Sequence, residues 1–456
     1  MTGLTLAVAR HIATARDIPS KARRAAERSL LDAVGVMLGA TALGEDCGPF
    51  ADLAQSAPGP STILGRAYRA QPLQAALANG ALAHALDYED ALDGAPVHPN
   101  AAVVPVAMAM AEARPDISGA EFVSAVAIGC DLVCRLGLAL QRNPDDFGWY
   151  PPPILSTFGA AAAASRLLKL DETATAHALA LALAQATFSS EFKTYPTSSL
   201  RAVRDAFAAH AGLLAAMLAQ RGVRGHTTAF EGKAGFFAQF ARGDWNSETV
   251  AADLGVRFHG EDVSYKPWPS CRGTHAFIEA ALHLRPSIEN IDDIVCVEAT
   301  GPPLLAMLVE PLAQKQAPAT AIDAKFSLPF CVGAALATGD IGMPTFFEEG
   351  RRTHQTLALA KLVQFKANLE LGMKHAASGD LAIRLKDGRM LSCFIKQARG
   401  SPVSPLTDEA LIVKFLDCAS YADPVISREN AMRLAENLLS MSAASGAAEA
   451  FAPLRD

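Results

Sequence analysis

The strongest constraint on the fold is a run of segments between residues 72 and 221 that are apolar on most of their faces and carry helical spacing. Such segments read at about 72–86, 102–114, 118–141, 157–169, 172–188 and 203–221. A helix with one polar side can lie on a surface, but one that is apolar nearly all round has to be enclosed by other helices. Alanine dominates these stretches, and alanine has the best helix propensity while allowing close helix packing. An amphipathic helix at 20–40, SKARRAAERSLLDAVGVMLGA, with Ser20 as its N-cap, precedes them. The pattern predicts a block of helices packed on helices, reaching to about residue 256.

Beyond that point the period changes. Residues 292–300, DDIVCVEAT, alternate with β-branched residues and read as a strand. Residues 381–395, LAIRLKDGRMLSCFI, read as a hairpin whose Asp387-Gly388 pair suits a tight primed turn. Helices at 273–285 and 319–337 accompany them. The expectation is a smaller α+β domain over 257–404, left through a linker that contains Pro402 and Pro405. Helices at 407–418 and 427–441 then return to the first block, so that 1–256 and 405–456 form one helical domain. The Ala- and Ser-rich tail after Met441 reads as mobile. A chain of 456 residues is long enough for two cores.

Charge and cysteine usage exclude several roles. The net charge is −7 and the densest basic cluster is only Lys21–Arg24, which argues against a nucleic-acid partner. The eight cysteines are scattered with no CxxC pair, as expected of reduced thiols in a cytoplasmic protein; Cys130 and Cys134, four apart, read as core residues rather than half of a metal site. Arg10, Arg16 and Asp17 interrupt any apolar leader, and no uncharged apolar stretch has the length of a membrane span. GxGxxG, GxxxxGK[ST] and GxSxG are absent, which argues against a nucleotide cradle and a serine nucleophile elbow.

Three clusters carry groups capable of chemistry. The first, HALDYEDALDGAPVHPNAAVVP at 84–105, holds His84, Asp87, Glu89, Asp90, Asp93 and His98 between two helices. A loop histidine there suits general acid–base work, with a carboxylate fixing its tautomer, although the same residues could simply cap helices and face water. No HExxH or close histidine pair points to a metal. The second, FGWYPPPILSTFGAAAAAS at 147–165, offers Tyr150 as a proton donor or carboxylate ligand, or as an anchor for a proline-rich turn. The third, SYKPWPSCRGTH at 264–275, sets Lys266, Cys271, Arg272 and His275 in a stiff loop suited to binding carboxylates, or to plain solvation.

In this order the three clusters, together with AKFSLPFCVGAAL and ARGSPVSPLTDEALIVKF, resemble the MmgE/PrpD family over nearly the whole chain. That family includes 2-methylcitrate dehydratase, cis-aconitate decarboxylase and iminodisuccinate epimerase. The resemblance implies a mainly α fold: a large all-helical domain formed by both chain ends, a smaller α+β domain, and an active site in the cleft between them. It further implies a homodimer, a small anionic polycarboxylate substrate, and neither metal nor cofactor. Asp87 matches the first acid of the family's D-[FY]-[DE]-D-[ST] string, His98 its HP histidine, and Lys266 the lysine that opens the KPWPSC-type loop. Ala91, Tyr150, Arg201 and Phe330 stand where the family has Ser or Thr, His, Lys and Tyr; Cys271 stands where its decarboxylase branch has His.

The expected chemistry follows from that set. His98, oriented by Asp87, removes a proton α to a carboxylate, as in a hydro-lyase. Lys266, Arg201 and Arg272 hold carboxylates, Cys271 and His275 line the pocket, and Tyr150 protonates the leaving hydroxyl. Epimerisation through the same carbanion, decarboxylation, and carboxylate binding without turnover are the competing readings.

Overall fold

The computed structural model describes residues 3–15, 17–195 and 198–455; Arg16, one of the charges cited against a leader, lies outside them. The main helices of the first half are α1 (Leu4–Thr14), α2 (Ser20–Leu43), α3 (Pro72–Ala85), α4 (Asn100–Ala113), α5 (Gly119–Ala139), α6 (Pro151–Leu167), α7 (Glu172–Leu183) and α8 (Leu200–Gln220). Their apolar faces form one core from Val8 to Tyr265, which Leu406 to Phe451 of the C-terminal part joins. There α11 (Asp408–Ser420) and α12 (Arg428–Leu439) pack back on α2. By length and hydropathy α5 and α8 could each cross a membrane, but both lie largely inside this core, and α5 buries the ion pair of Asp131 with Arg135.

A second core runs from Trp268 to Ala398. It joins α9 (His275–Leu284) and α10 (Leu328–Thr338) to a four-stranded sheet of β1 (Ile294–Gly301), β2 (Val363–Ala367), β3 (Gly379–Leu385) and β4 (Met390–Ile395). The strand order is β2-β1-β3-β4, parallel between β1 and β2 and antiparallel elsewhere. The five-residue β2 went unread because so short a segment carries little periodic signal. The β3–β4 turn is not of the primed type. Positive φ occurs at Gly388 and not at Asp387, and the Gly388 N–H donates to the Leu385 carbonyl, as in a type I turn closed by a left-handed glycine.

Other expectations shift for local reasons. The prolines before the 157–169 segment belong to α6, whose first residue is Pro151; proline is at home there because a first-turn N–H has no intrahelical acceptor. The 319–337 helix is two pieces, Ala321–Lys325 and α10, broken where the Ser327 hydroxyl caps the Phe330 N–H at 3.0 Å. The tail after Met441 is docked. The Gly119 N–H bonds to the Ala444 carbonyl, the Ala447 N–H to the Ile117 carbonyl, and Phe451 packs edge-on against Phe122 at 5.8 Å. Its Ala and Ser content masked the apolar positions that anchor it. The Pro402 segment is likewise tied down: the Tyr265 N–H bonds to the Gly400 carbonyl at 3.0 Å, and a Cβ at Gly400 would lie 1.9 Å from the Tyr265 carbonyl oxygen.

Close approach of α8 to α3 sets up the site. A Cβ on Gly80 of α3 would lie 2.9 Å from the Asp205 carbonyl oxygen and the Ala206 Cα of α8, both backbone atoms that cannot swing aside. We therefore expect Gly80→Val to destabilise the protein by about 1–3 kcal/mol through overpacking, read as a lower urea midpoint.

Candidate active site

The site begins where α3 ends. Leu86 caps the helix, and Asp87 follows with its N–H on the His84 carbonyl at 2.8 Å and a left-handed backbone, φ 48°. Glycine is the usual residue at such a helix exit. An aspartate there costs about 1 kcal/mol, which the Asp87 contacts offset. Lys266 Nζ donates to the Asp87 carboxylate at 2.7 Å and to its carbonyl at 2.8 Å, with both side chains buried. A two-bond bridge delivers that lysine: Ala91 N–H to Ser264 O at 3.0 Å, and Ser264 N–H to Ala91 O at 2.7 Å. Burial alone would lower the Lys266 pKa, but Asp87 and Glu89 raise it, so the group remains an ammonium.

Glu89, not Asp87, is the carboxylate that faces His98. One oxygen of Glu89 lies 2.8 Å from His98 Nδ1 and also hydrogen-bonds His84 Nδ1. His98 Nδ1 additionally donates to the Asp90 carbonyl at 2.9 Å. These acceptors place the proton on Nδ1 and leave Nε2 for a reacting molecule. Burial opposes the Glu89 charge, yet His84, Lys266 and His98 hold its pKa well below the usual range. His84 is fully buried; desolvation and the Arg204 charge push its pKa down to about 4, so it is a neutral donor to Glu89. His98 is the more accessible imidazole of the two, with 16% of its side chain exposed against none for His84.

Tyr150 caps α6, its N–H on the Phe188 carbonyl at 2.8 Å. Its hydroxyl accepts from Arg204 Nη1 at 2.7 Å, which leaves the phenolic proton to donate onward. Burial raises its pKa against the pull of Arg204 and Arg201, so the phenol stays protonated. Arg201, one turn before Arg204 on α8, lies between two rings, 4.1 Å from the Phe326 centroid and 4.9 Å from that of Phe192. It reaches the wall of a 170 Å³ cavity. Five buried polar atoms in this group make no hydrogen bond within the protein: Arg201 Nη1, Arg204 Nη2, His84 Nε2, Asp87 Oδ2 and Glu89 Oε2. Buried polar atoms are nearly always paired, so such a collection marks a place for water or a polar ligand.

Two expected pocket residues are committed elsewhere. Arg272 forms a bidentate pair with Asp93, at 2.8 and 3.0 Å, and spends its other N–H groups on the carbonyls of Arg399 and Ala398. His275 donates from Nε2 to the Ser270 carbonyl at 3.1 Å, and burial and Arg272 hold it neutral. Both brace the loop rather than face the unpartnered atoms. Cys271 lies close enough to Asp87 to feel its charge; burial first and that charge second push its thiol up to about 11, so it is no thiolate nucleophile. Phe330 belongs to the second core, against Phe346, and Ala91 serves the bridge to Ser264.

Sequence reading passed over the roles of Glu89, His84 and Arg204. The spacing of His84 and Glu89 across a helix end, and of Arg201 and Arg204 one helical turn apart, was the available signal. His84, Asp87, Glu89 and His98 bring ligand-type atoms within 4.8 Å of one another, a spacing that could suit a metal ion. However, Lys266 already sits on Asp87, and Arg204 Nη2 is 4.0 Å from Glu89, so two buried cations occupy the positive role beside these carboxylates.

Comparison with known proteins agrees in extent. The family model for the MmgE/PrpD N-terminal domain matches residues 5–248, and that for the MmgE/PrpD C-terminal domain matches residues 268–439. Human cis-aconitate decarboxylase is 28% identical over 384 residues, covering 83% of this chain and 79% of the human protein. The mouse cis-aconitate decarboxylase is 28% identical over 425 residues, 87% of this chain and 82% of its own. The cis-aconitate decarboxylase-like protein oryM of Aspergillus oryzae is 24% identical, covering 96% of this chain and 93% of the fungal protein.

Asp87→Asn would leave the Lys266 ammonium buried without its counter-charge. We expect a loss of roughly 3–5 kcal/mol in stability, measured by chemical unfolding, although asparagine tolerates the left-handed backbone.

Proposed function

The chain belongs to the MmgE/PrpD family, and we propose that it is a lyase acting on a small di- or tricarboxylate, with His98 moving the proton at the carbon next to a carboxylate. The observation that carries this reading is the pairing of His98, backed by the ionised Glu89, with the unpartnered N–H groups of Arg201 and Arg204. An imidazole whose Nδ1 is held by a carboxylate is a competent base at Nε2. Fixed guanidinium N–H groups in a desolvated setting bind carboxylates and stabilise the enolate-like charge that grows as the proton leaves.

In a dehydration, His98 Nε2 takes the α-proton, the electron pair forms the alkene, and the carbon–oxygen bond breaks. Tyr150, kept protonated by burial and polarised by Arg204, supplies the proton that lets hydroxide leave as water. Lys266 and Asp87 hold the loop that carries His98 and Glu89 against the second core. A second reading, decarboxylation, is favoured by the names of the relatives. There the carbon–carbon bond to a carboxylate breaks, carbon dioxide leaves, and protonated His98 returns a proton to the carbanion. Both use His98 for the proton transfer.

The test is turnover on a panel of citrate, 2-methylcitrate, cis-aconitate and iminodisuccinate, with products identified by mass and released carbon dioxide measured. Alkene formation with loss of water supports the hydro-lyase, and carbon dioxide release supports the decarboxylase. Inversion with α-hydrogen exchange in deuterium oxide would make it an epimerase. Binding of every member without turnover would overturn the enzymatic reading. On the substrate so found, His98→Ala and Glu89→Gln should each lower kcat/KM by roughly 10²–10⁴-fold, with Glu89→Gln the milder; near-normal activity in His98→Ala would sink the scheme.

A further inference from the structure

One buried titratable group takes no part in the scheme above. Lys325, at the end of the Ala321–Lys325 helix, is 3% exposed, and its ammonium donates to the Leu86 carbonyl at 2.6 Å. Leu86 O is one of the carbonyls left open at the C-terminal end of α3, a place where a cation is favoured by both hydrogen bonding and the helix dipole. The next carbonyl, Asp87 O, is held by Lys266. Two lysines, from either side of the second core's first helix, thus grip consecutive carbonyls at a turn where a non-glycine residue, Asp87, is left-handed. The Lys325 carbonyl in turn accepts the Cys271 N–H at 2.9 Å, joining this helix to the loop that carries Lys266.

We infer that Lys325 is a positioning residue of this site: by holding the Leu86 carbonyl it keeps Asp87 in its left-handed turn, and so keeps the Asp87 carboxylate on Lys266 and the Glu89–His98 contact in register. The inference rests on the proposed function for its kinetic consequence only; the clamp itself is a property of the fold. The charged groups around Lys325 are Asp87 and Glu89, which favour its proton, and Lys266, which opposes it; Cys418 on α11 faces it as a neutral thiol pushed up to about 12. The Phe346 ring centroid lies 5.2 Å from Nζ. Lys325 also lines a 310 Å³ cavity whose wall carries Glu45, Asp46, Glu348 and Arg351. Burial is the largest influence and brings the ammonium down to about 8. Below that pH the charged clamp is intact; above it the amine loses its charge and becomes a weaker donor.

The test compares wild type, Lys325→Arg and Lys325→Met from pH 6 to 10. Arginine keeps its charge throughout this range, and the adjoining cavity has room for it. The first readout is backbone hydrogen exchange in the peptide spanning 84–92, corrected for base-catalysed chemistry, which needs no substrate. Wild type should show exchange rising through about pH 8; Lys325→Arg should not, and Lys325→Met should exchange about tenfold faster than wild type below that pH, as loss of a charged hydrogen bond requires, with the difference narrowing above it. The second readout is kcat/KM on the substrate identified above. Wild type should lose activity on the same limb, Lys325→Arg should move the limb upward, and Lys325→Met should lose up to about 10²-fold in kcat with little change in KM. Exchange in Lys325→Met equal to wild type, or a limb unmoved in Lys325→Arg, would overturn the inference. If Lys325→Met does not fold, the arginine variant decides it. Protection changes without turnover on any panel member would leave the clamp standing and sink the proposed function.

Discussion

The contact between Lys266 and Asp87 is the constraint on which the rest of the site depends. Both groups are buried, and taking two ions out of water costs several kcal/mol each. The pair is sustainable because it is not a bare pair: one ammonium serves the carboxylate and the carbonyl of the same residue, with Glu89 adding its field. Such a contact adds less to net stability than to definition. It fixes where a strand-like segment following the first core lies against the exit of α3, and the Ala91–Ser264 bridge two residues away repeats the same register in backbone bonds. With these set, Glu89 meets both His84 and His98.

The second requirement is proximity between helices. Arg201 and Arg204 reach the site only because α8 lies almost in backbone contact with α3 and α6, at Gly80 on one side and Gly212 on the other. Small residues on three helices therefore place Arg204 beside His84 and Glu89, and Arg201 within electrostatic reach of Tyr150. Alanine-rich composition, which sets the fold class, is in this way also what brings the electrostatics of the site together.

Much of this was legible from the residues alone. Helices apolar on most faces did form the first core, and the switch to alternating patterns near 292 did mark a sheet. His98, Asp87, Tyr150, Arg201 and Lys266 are brought to one neighbourhood. What escaped reading was pairing. Nothing in the string HALDYED says that the fifth residue after His84, rather than the third, faces His98, because the helix ends between them and the left-handed turn at Asp87 resets the direction of the chain. Arg272 and His275 looked like pocket residues because cations and imidazoles in a proline-stiffened loop suit either task; only the positions of Asp93 and Ser270 show that they brace the loop. The tail misled for the opposite reason, since alanines buried against α5 look the same in sequence as alanines in water.

The turn at Asp87 has a consequence for how this sequence can drift. Its backbone conformation is one that glycine adopts without strain, and aspartate and glycine codons differ by a single base in the second position. A single transition at this codon thus offers the chain a residue that the local backbone prefers. The same change would strip the counter-charge from Lys266 and the anchor from the loop bearing His98. Local comfort and collective function pull in opposite directions at one position, and aspartate persists there only while the site as a whole is under selection.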